Sequence, residues 1–446
     1  MAKLAINGGK RVIPEDMPMF HTWPMVDEED KQAILAVFDR GIGIWGTNAP
    51  ETVALQKEWA KYVGVAHCLL TNSGTSAIHI GVRGVGVSAG DEVLVSAYSY
   101  GAAPATVFHQ NAIPVFVDID PKTFTIDPTK IEERITGRTK AIMPVHIFGL
   151  TADMDPINEI AAKHDLKVVT DAAQAAGSEY KGRKAGAIED AAGFSLNPTK
   201  NLPGIEGGLF TTSNPEVFEQ GTMCSQNIQL LGRERQYPVY SLGFNYRSNE
   251  MTAAFARSQL RKLDKLNEMR IKNCNRLTER LKMLEGVQPP YVPESCKHTY
   301  HMYRVRFEPK ELGIEMSYLE FREKVTAALE AEGVMCAQWI DSQAGPNYPL
   351  FQVQEGYGNG WPWKWPENQR MRQFEAERSE SVHEVTVRSH NRNIKYNMEE
   401  YPETKKFIEA STAIIGAPIA KSLQVVDMIA DAFEKIWENM EGVLDI

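Results

Sequence analysis

Two short stretches of this 446-residue chain carry side chains that could work together. Asp171-Ala-Ala-Gln174 follows the apolar run Lys167-Val-Val-Thr170, placing a carboxylate at the C-terminal tip of a buried strand. Open α/β sheets hold their ligands at such tips. Ser195-Leu-Asn-Pro-Thr-Lys200 follows a second apolar run, Ala191 to Phe194, and carries a lysine on a proline-containing turn. The glycine-rich Gly204-Ile-Glu-Gly207-Gly208 lies just beyond. A lysine amine can form a Schiff base with an aldehyde, and an acid can partner a protonated ring nitrogen. That pair is what pyridoxal 5'-phosphate chemistry requires, with Lys200 and Asp171 as the catalytic candidates.

Other segments supply what such a cofactor would need. Thr71-Asn-Ser73-Gly74-Thr75-Ser76-Ala77 stands between a strand and a helix, where backbone N–H groups and hydroxyls can hold a phosphate. A plain helix N-cap would read the same way. Tyr100, in Tyr98-Ser99-Tyr100, follows another strand and could stack on a planar ring, or be a half-buried core tyrosine. Asp171 could be a helix cap, Gln174 a surface residue and Lys200 a solvated lysine. The argument is joint: anion turn, aromatic, acid and lysine each fall beside a strand end of one domain. Gly81-Val-Arg-Gly84-Val-Gly86 imitates a dinucleotide loop but follows a helix, so that reading is rejected. His146 reads as structural, and His298 and His301 could reach a substrate from a second domain. His383 and His390 lack metal-ligand spacing, so no metal is expected.

The elements that position these residues alternate. Strand-like runs at Cys68–Leu70, Glu92–Ser96, Val115–Val117, Ala141–Val145, Lys167–Thr170, Gly193–Ser195 and Leu209–Thr212 are interleaved with helical ones. The helix candidates are Ser76–Val85, Ala102–Asn111, Thr129–Ile135 and Pro156–His164. This predicts an α/β domain with a mostly parallel seven-stranded sheet covered on both faces. The organisation expected is an N-terminal arm (1–30), a large domain (31–248), a linking helix (249–276) and a smaller α+β domain (277–446). Residues 341–400, with Trp361-Pro-Trp363-Lys-Trp365, lack periodicity and read as a long loop or insertion.

Bulk composition narrows the class. With 43% hydrophobic and 24% charged residues, neither disorder nor a fibre is indicated. A net charge of -10 argues against a nucleic-acid partner. No apolar run approaches the roughly 18 residues of a membrane helix. The five scattered cysteines read as reduced thiols, and the expectation is a cytoplasmic enzyme.

In order and spacing, the chain resembles the DegT/DnrJ/StrS sugar aminotransferases, a family of fold type I pyridoxal phosphate enzymes. The likeness spans roughly residues 4 to 340. It rests on Thr71 to Ala77, Gly90 to Val95, Pro114 to Asp118, Pro144 to Gly149, Asp171 to Ala175, Ser195 to Gly208 and Gly243 to Arg247. The resemblance implies Lys200 as the Schiff-base lysine, Asp171 at the pyridine nitrogen, Gln174 near the cofactor hydroxyl and Tyr100 on its ring. It implies Ser73, Gly74, Thr75 and Ser195 at the phosphate. It also implies that Asn245 reaches the phosphate of a neighbouring subunit, hence a homodimer with shared sites. Family members that dehydrate sugars carry histidine in place of the lysine, so Lys200 favours transamination.

The arm Leu4 to Lys10 and the segment Lys200 to Gly208 look closest to the glutamine:scyllo-inosose aminotransferases of aminocyclitol antibiotic biosynthesis. The expected activity moves an amino group from L-glutamine or L-glutamate to a cyclic ketone, a keto-inositol or keto-sugar. The alternatives are a glutamate-using aminotransferase of nucleotide-linked keto-sugars, a sugar dehydratase, and a non-catalytic regulator that kept the cofactor fold.

Overall fold

The computed structural model describes residues 3–15, 19–41, 49–226, 242–340, 345–358, 360–363 and 394–446. Continuous apolar runs become strands buried on both faces; Val93, Leu94 and Val95, for example, have no exposed surface. The strands of the first half are β1 (His67–Thr71), β2 (Glu92–Ser96), β3 (Ile113–Val117), β4 (Thr139–Met143) and β5 (Lys167–Asp171). The hairpin β6 (Glu179–Tyr180) and β7 (Arg183–Lys184) follows, then β8 (Ala191–Ser195) and β9 (Gly208–Thr212). A seven-stranded sheet runs β1-β9-β8-β5-β4-β2-β3. Strands β3, β2, β4, β5 and β8 are parallel, and β9 pairs antiparallel with both β8 and β1. This is the mostly parallel, seven-stranded α/β sheet that the alternating runs predicted.

Helix Gly74–Gly84 lies across this sheet because small residues let it approach. A Cβ at Gly193 would stand 2.6 Å from the Ile78 nitrogen, and one at Gly81 would stand 3.2 Å from a Val169 methyl. The glycines that imitate a dinucleotide loop therefore serve helix packing, and Gly86 turns the chain at φ +89°. Helix Met154–Lys163 covers the other face through Met154, Ile157 and Ala161.

The C-terminal region builds a second core on a four-stranded sheet. Its strands are β10 (Val287–Gln288), β12 (Arg304–Phe307), β13 (Cys336–Ala337) and β14 (Ser411–Ile414), in the order β10-β12-β14-β13. Helix Leu423–Trp437 buries Val426, Ile429, Ala430 and Phe433 there. The remaining strand, β11 (Cys296–Lys297), joins the β6–β7 hairpin and so ties this region to the large domain.

Three expectations need correction. The stretch Asn249–Arg276 is two helices, Glu250–Leu260 and Leu263–Leu281. They separate at Lys262, whose Nζ bonds Asp27 at 2.9 Å and Asp30 at 2.6 Å. Thr129–Ile135 is a pair of 3-10 turns, Pro128–Lys130 and Glu132–Arg134, started by Asp127 accepting the Thr129 N–H at 2.9 Å. The flanks of 341–400 are not loop. Phe351, Trp363 and Tyr396 are buried in the large-domain core with Phe108 and Phe116. Next to them, helix Pro402–Ala410 is capped from the large domain: Asp118 accepts the N–H groups of Glu403 at 3.0 Å and Thr404 at 2.9 Å. His383, His390 and Trp365 lie outside the described residues.

Candidate active site

A cavity of about 330 Å³ opens at the C-terminal tips of β5 and β8. Ser73, Gly74, Thr75, Tyr100, Asp171, Gln174, Ser195 and Lys200 all line it. Eight of the nine residues singled out from the sequence therefore converge. Asn245 does not line it: it is exposed, and its carbonyl accepts the Asn72 Nδ2–H at 3.4 Å beside the β1 tip.

The hydroxyl end is built by the head of helix Gly74–Gly84. Ser73 caps it, its Oγ accepting the Ser76 N–H at 3.1 Å and its carbonyl the Ala77 N–H at 3.1 Å. Gly74 and Thr75 are thus the leading amides of the helix, and both face the cavity wall. Gly74 must lack a side chain, because a Cβ there would stand 2.8 Å from the Cβ of Ser195. Two strand tips that close form a cleft ringed by N–H and O–H donors, the chemistry that holds a phosphate.

The same cavity holds the acid. Asp171 is 4% exposed and its Oδ1 accepts the Ala173 N–H at 3.0 Å. Burial pushes its carboxyl above the usual range, against the Ala173 bond and the attraction of Lys200. Lys200 is pulled the other way: burial lowers its amine, against the attraction of Asp171 and Glu206. Both groups are driven toward their neutral forms. An uncharged amine is a nucleophile, and a carboxyl raised by burial is drawn back to its ionised form by a cationic N–H partner. The Lys200 main chain is fixed by the N-terminal arm, since its carbonyl accepts the Trp23 indole N–H at 3.1 Å. Gln174 Oε1 accepts the Phe148 N–H at 2.7 Å, which turns its amide nitrogen away from that bond.

The other histidines are accounted for. His298 and His301 are buried and do not line the cavity; His298 stacks on Tyr300 at 3.9 Å. His146 has no exposed surface, and its Nδ1 accepts the Ala152 N–H at 3.1 Å. Among the described residues no cluster of three His, Cys, Asp or Glu could hold a metal. No described helix is long and apolar enough to cross a membrane.

Sequence reasoning missed the other seven lining residues, among them Asn197, Glu206 and Trp339. The first two stand in segments already picked out for Lys200. Trp339 arrives from the C-terminal region, two positions past β13, and nothing near it in sequence marks it.

The profile of the DegT/DnrJ/EryC1/StrS aminotransferase family matches residues 24–361. The chain belongs to this family. It is 35% identical over 313 residues to the GDP-perosamine synthase of Caulobacter vibrioides, covering 70% of this chain and 81% of that one. It is also 35% identical over 342 residues to a putative L-glutamine:3-amino-2,3-dideoxy-scyllo-inosose aminotransferase of Streptoalloteichus tenebrarius, covering 75% and 79%. Among solved structures, S. venezuelae DesV in complex with a ketimine intermediate is similar at TM-score 0.73 and 28% identity, over 95% of this chain and 99% of that one. The family's aminotransferase character and its fold thus fall on the chain whose sheet tips gather Lys200 and Asp171.

Proposed function

We propose that this aminotransferase binds pyridoxal 5'-phosphate and moves an amino group from L-glutamine or L-glutamate to a cyclic ketone, a keto-inositol or keto-sugar. The observation that carries the reading is the meeting of Lys200, Asp171 and the donor-lined cleft of Ser73, Gly74, Thr75 and Ser195 in one cavity. The residues fit the cofactor. The Gly74–Ser195 cleft suits its phosphate, Tyr100 its ring face, Asp171 its ring nitrogen, Gln174 its ring hydroxyl and Lys200 its aldehyde. When bound, the cofactor supplies a carbon that exchanges amines and a ring that accepts electrons.

The chain's own groups then divide the work. Asp171 keeps the ring nitrogen protonated, and a cationic partner there offsets the burial that otherwise neutralises its carboxyl. Lys200 Nζ binds the cofactor at rest. With its amine free, it would take the Cα proton of glutamine or glutamate as a base and return that proton, as an acid, to the cofactor carbon it holds at rest. Its lowered basicity suits both roles. The acceptor half repeats these proton transfers in reverse. Asn245, exposed and outside its own cavity, serves the phosphate of a second copy of the chain, which makes the working form a homodimer.

A second acceptor class is favoured by a specific observation: relatives of equal identity are named for a nucleotide-linked sugar and for an inosose. The test is direct. The purified protein is loaded with pyridoxal phosphate, and its absorption spectrum is followed on adding L-glutamine or L-glutamate. Conversion to the pyridoxamine form names the donor. Recovery of the original spectrum on adding scyllo-inosose, or instead a GDP-linked keto-hexose, names the acceptor. A protein that takes up no cofactor overturns the reading.

A further inference from the structure

Most side chains lining the cavity are polar, and one large indole, Trp339, forms part of its wall. Trp339 is held there by structure rather than by a free loop. It follows two residues after β13, which pairs with β14 through Cys336–Ile414 and Ala337–Ala413. Its carbonyl accepts the Tyr98 O–H at 3.1 Å and an Arg304 guanidinium N–H at 3.4 Å. Its ring packs edge-on against Tyr98, centroids 6.4 Å apart, and Phe148, centroids 5.9 Å apart. It lies nearly parallel to Tyr100, with an interplanar angle of 15° and centroids 6.4 Å apart. The indole is therefore preorganised, and its nitrogen has no partner among the described residues.

Glu206 is the second part. It is exposed in the same cavity, and its Oε2 accepts the Asn197 Nδ2–H at 3.0 Å. Asn197 is itself fixed, its Oδ1 accepting Thr199 N–H at 3.1 Å and Thr199 O–H at 2.7 Å. The carboxylate is aimed by this chain of bonds, and its Oε1 has no partner among the described residues.

We propose that Trp339 and Glu206 form the acceptor subsite, Trp339 as a platform for one face of a saturated six-membered ring and Glu206 as acceptor for its hydroxyl hydrogens. Saturated polyol rings carry C–H groups on their faces and O–H groups at their edges, so an indole face plus a pre-aimed carboxylate matches both. Glutamine and glutamate offer no such ring and have no use for the platform. The inference rests on the aminotransferase reading above, and it assigns ring recognition to these two side chains whether the ring is a free cyclitol or part of a nucleotide sugar.

The two half-reactions separate the effects. In Trp339→Leu, which keeps apolar volume against Tyr98 and Phe148, the acceptor KM should rise about tenfold. The donor half-reaction should fall by less than about threefold over the same range. Trp339→Phe, retaining an aromatic face, should recover most of the lost affinity, and Glu206→Gln should raise the acceptor KM with kcat less affected. Each variant is measured with scyllo-inosose and with the GDP-linked keto-hexose, its melting temperature recorded alongside. An acceptor KM unmoved in Trp339→Leu overturns the platform, as does a donor half-reaction lost in equal measure. A wild type silent toward both donors instead removes the aminotransferase reading beneath it.

Discussion

Two acid–base pairs perturbed by burial lie side by side in the large domain, and they differ in what they can do. Asp171 and Lys200 line the cavity. His146 and Glu189 sit just behind, joined to the first pair because the His146 main-chain N–H donates to the Asp171 carbonyl at 2.9 Å. Burial raises the carboxyl of Asp171 and pushes that of Glu189 up to about 7, against N–H bonds from Ile188 and Gly186. Burial also lowers the amine of Lys200 and brings the imidazole of His146 down to about 3. The electrostatic signatures are alike. Yet the side chains of His146 and Glu189 have no exposed surface, and Nε2 and Oε1 are 3.8 Å apart with no room for a reactant. A perturbed group becomes a reagent only where a substrate can reach it.

Substitution of Lys200 should break the symmetry most strongly. Lys200→Ala removes the amine proposed to bind the cofactor and move the donor proton, so turnover should fall at least about 10³-fold. Stopped-flow absorbance with the best donor checks this; near-normal turnover would end the assignment. Asp171→Asn comes next. An amide cannot hold the ring nitrogen protonated, and the donor half-reaction should slow about 10²-fold while cofactor is still taken up.

The Asp171–Lys200 pair was legible because each half is local. Val168-Val169-Thr170 makes a buried strand that ends on Asp171; the same holds for Phe194 and Ser195, with Lys200 on the turn beyond. Strand tips are read from a few consecutive residues. Trp339 was not legible, because it owes its place to β13 pairing with β14, a register made between segments far apart in the chain. Nor was the burial of Trp363 and Tyr396, whose neighbours Phe108 and Phe116 come from the first half of the sequence. The break at Lys262 escaped for another reason. Leu260, Leu263 and Leu266 continue one apolar stripe through it without glycine or proline, so the helical period carries no mark of the interruption.

A smaller effect tests the phosphate cleft. In Gly74→Ala the new methyl meets Ser195 Cβ at 2.8 Å and its Cα at 3.1 Å, so the two tips must part. Overpacking of this kind costs about 1–3 kcal/mol. Here it should appear as roughly tenfold weaker cofactor binding, measured by titration of the apo-protein. Unchanged affinity would place the phosphate elsewhere.

The smallest effect on activity belongs to the silent pair, and it sharpens the comparison through pH. Glu189 has its carboxyl raised in the folded state, from 4.5 to about 7. Its contribution to stability is therefore full below about pH 4.5 and is lost as the pH rises to about 7. His146 is lowered, from 6.5 to about 3, so its contribution is full above about pH 6.5 and is lost as the pH falls to about 3. The two slopes oppose one another where they overlap. Glu189→Gln deletes one slope and leaves the other. At pH 5 the variant should be less stable than the wild type by about 1 kcal/mol, because one amide oxygen replaces two acceptors for Gly186 and Ile188. By pH 8 the gap should close and reverse, with a total swing of roughly 2–3 kcal/mol, while turnover at pH 7 stays within about threefold. Urea midpoints at the two pH values decide it. A gap that ignores pH would mean that Glu189 is ionised in the folded protein. Its burial would then be compensated by a charge shared with His146, and the two pairs would be more alike than their access to solvent suggests.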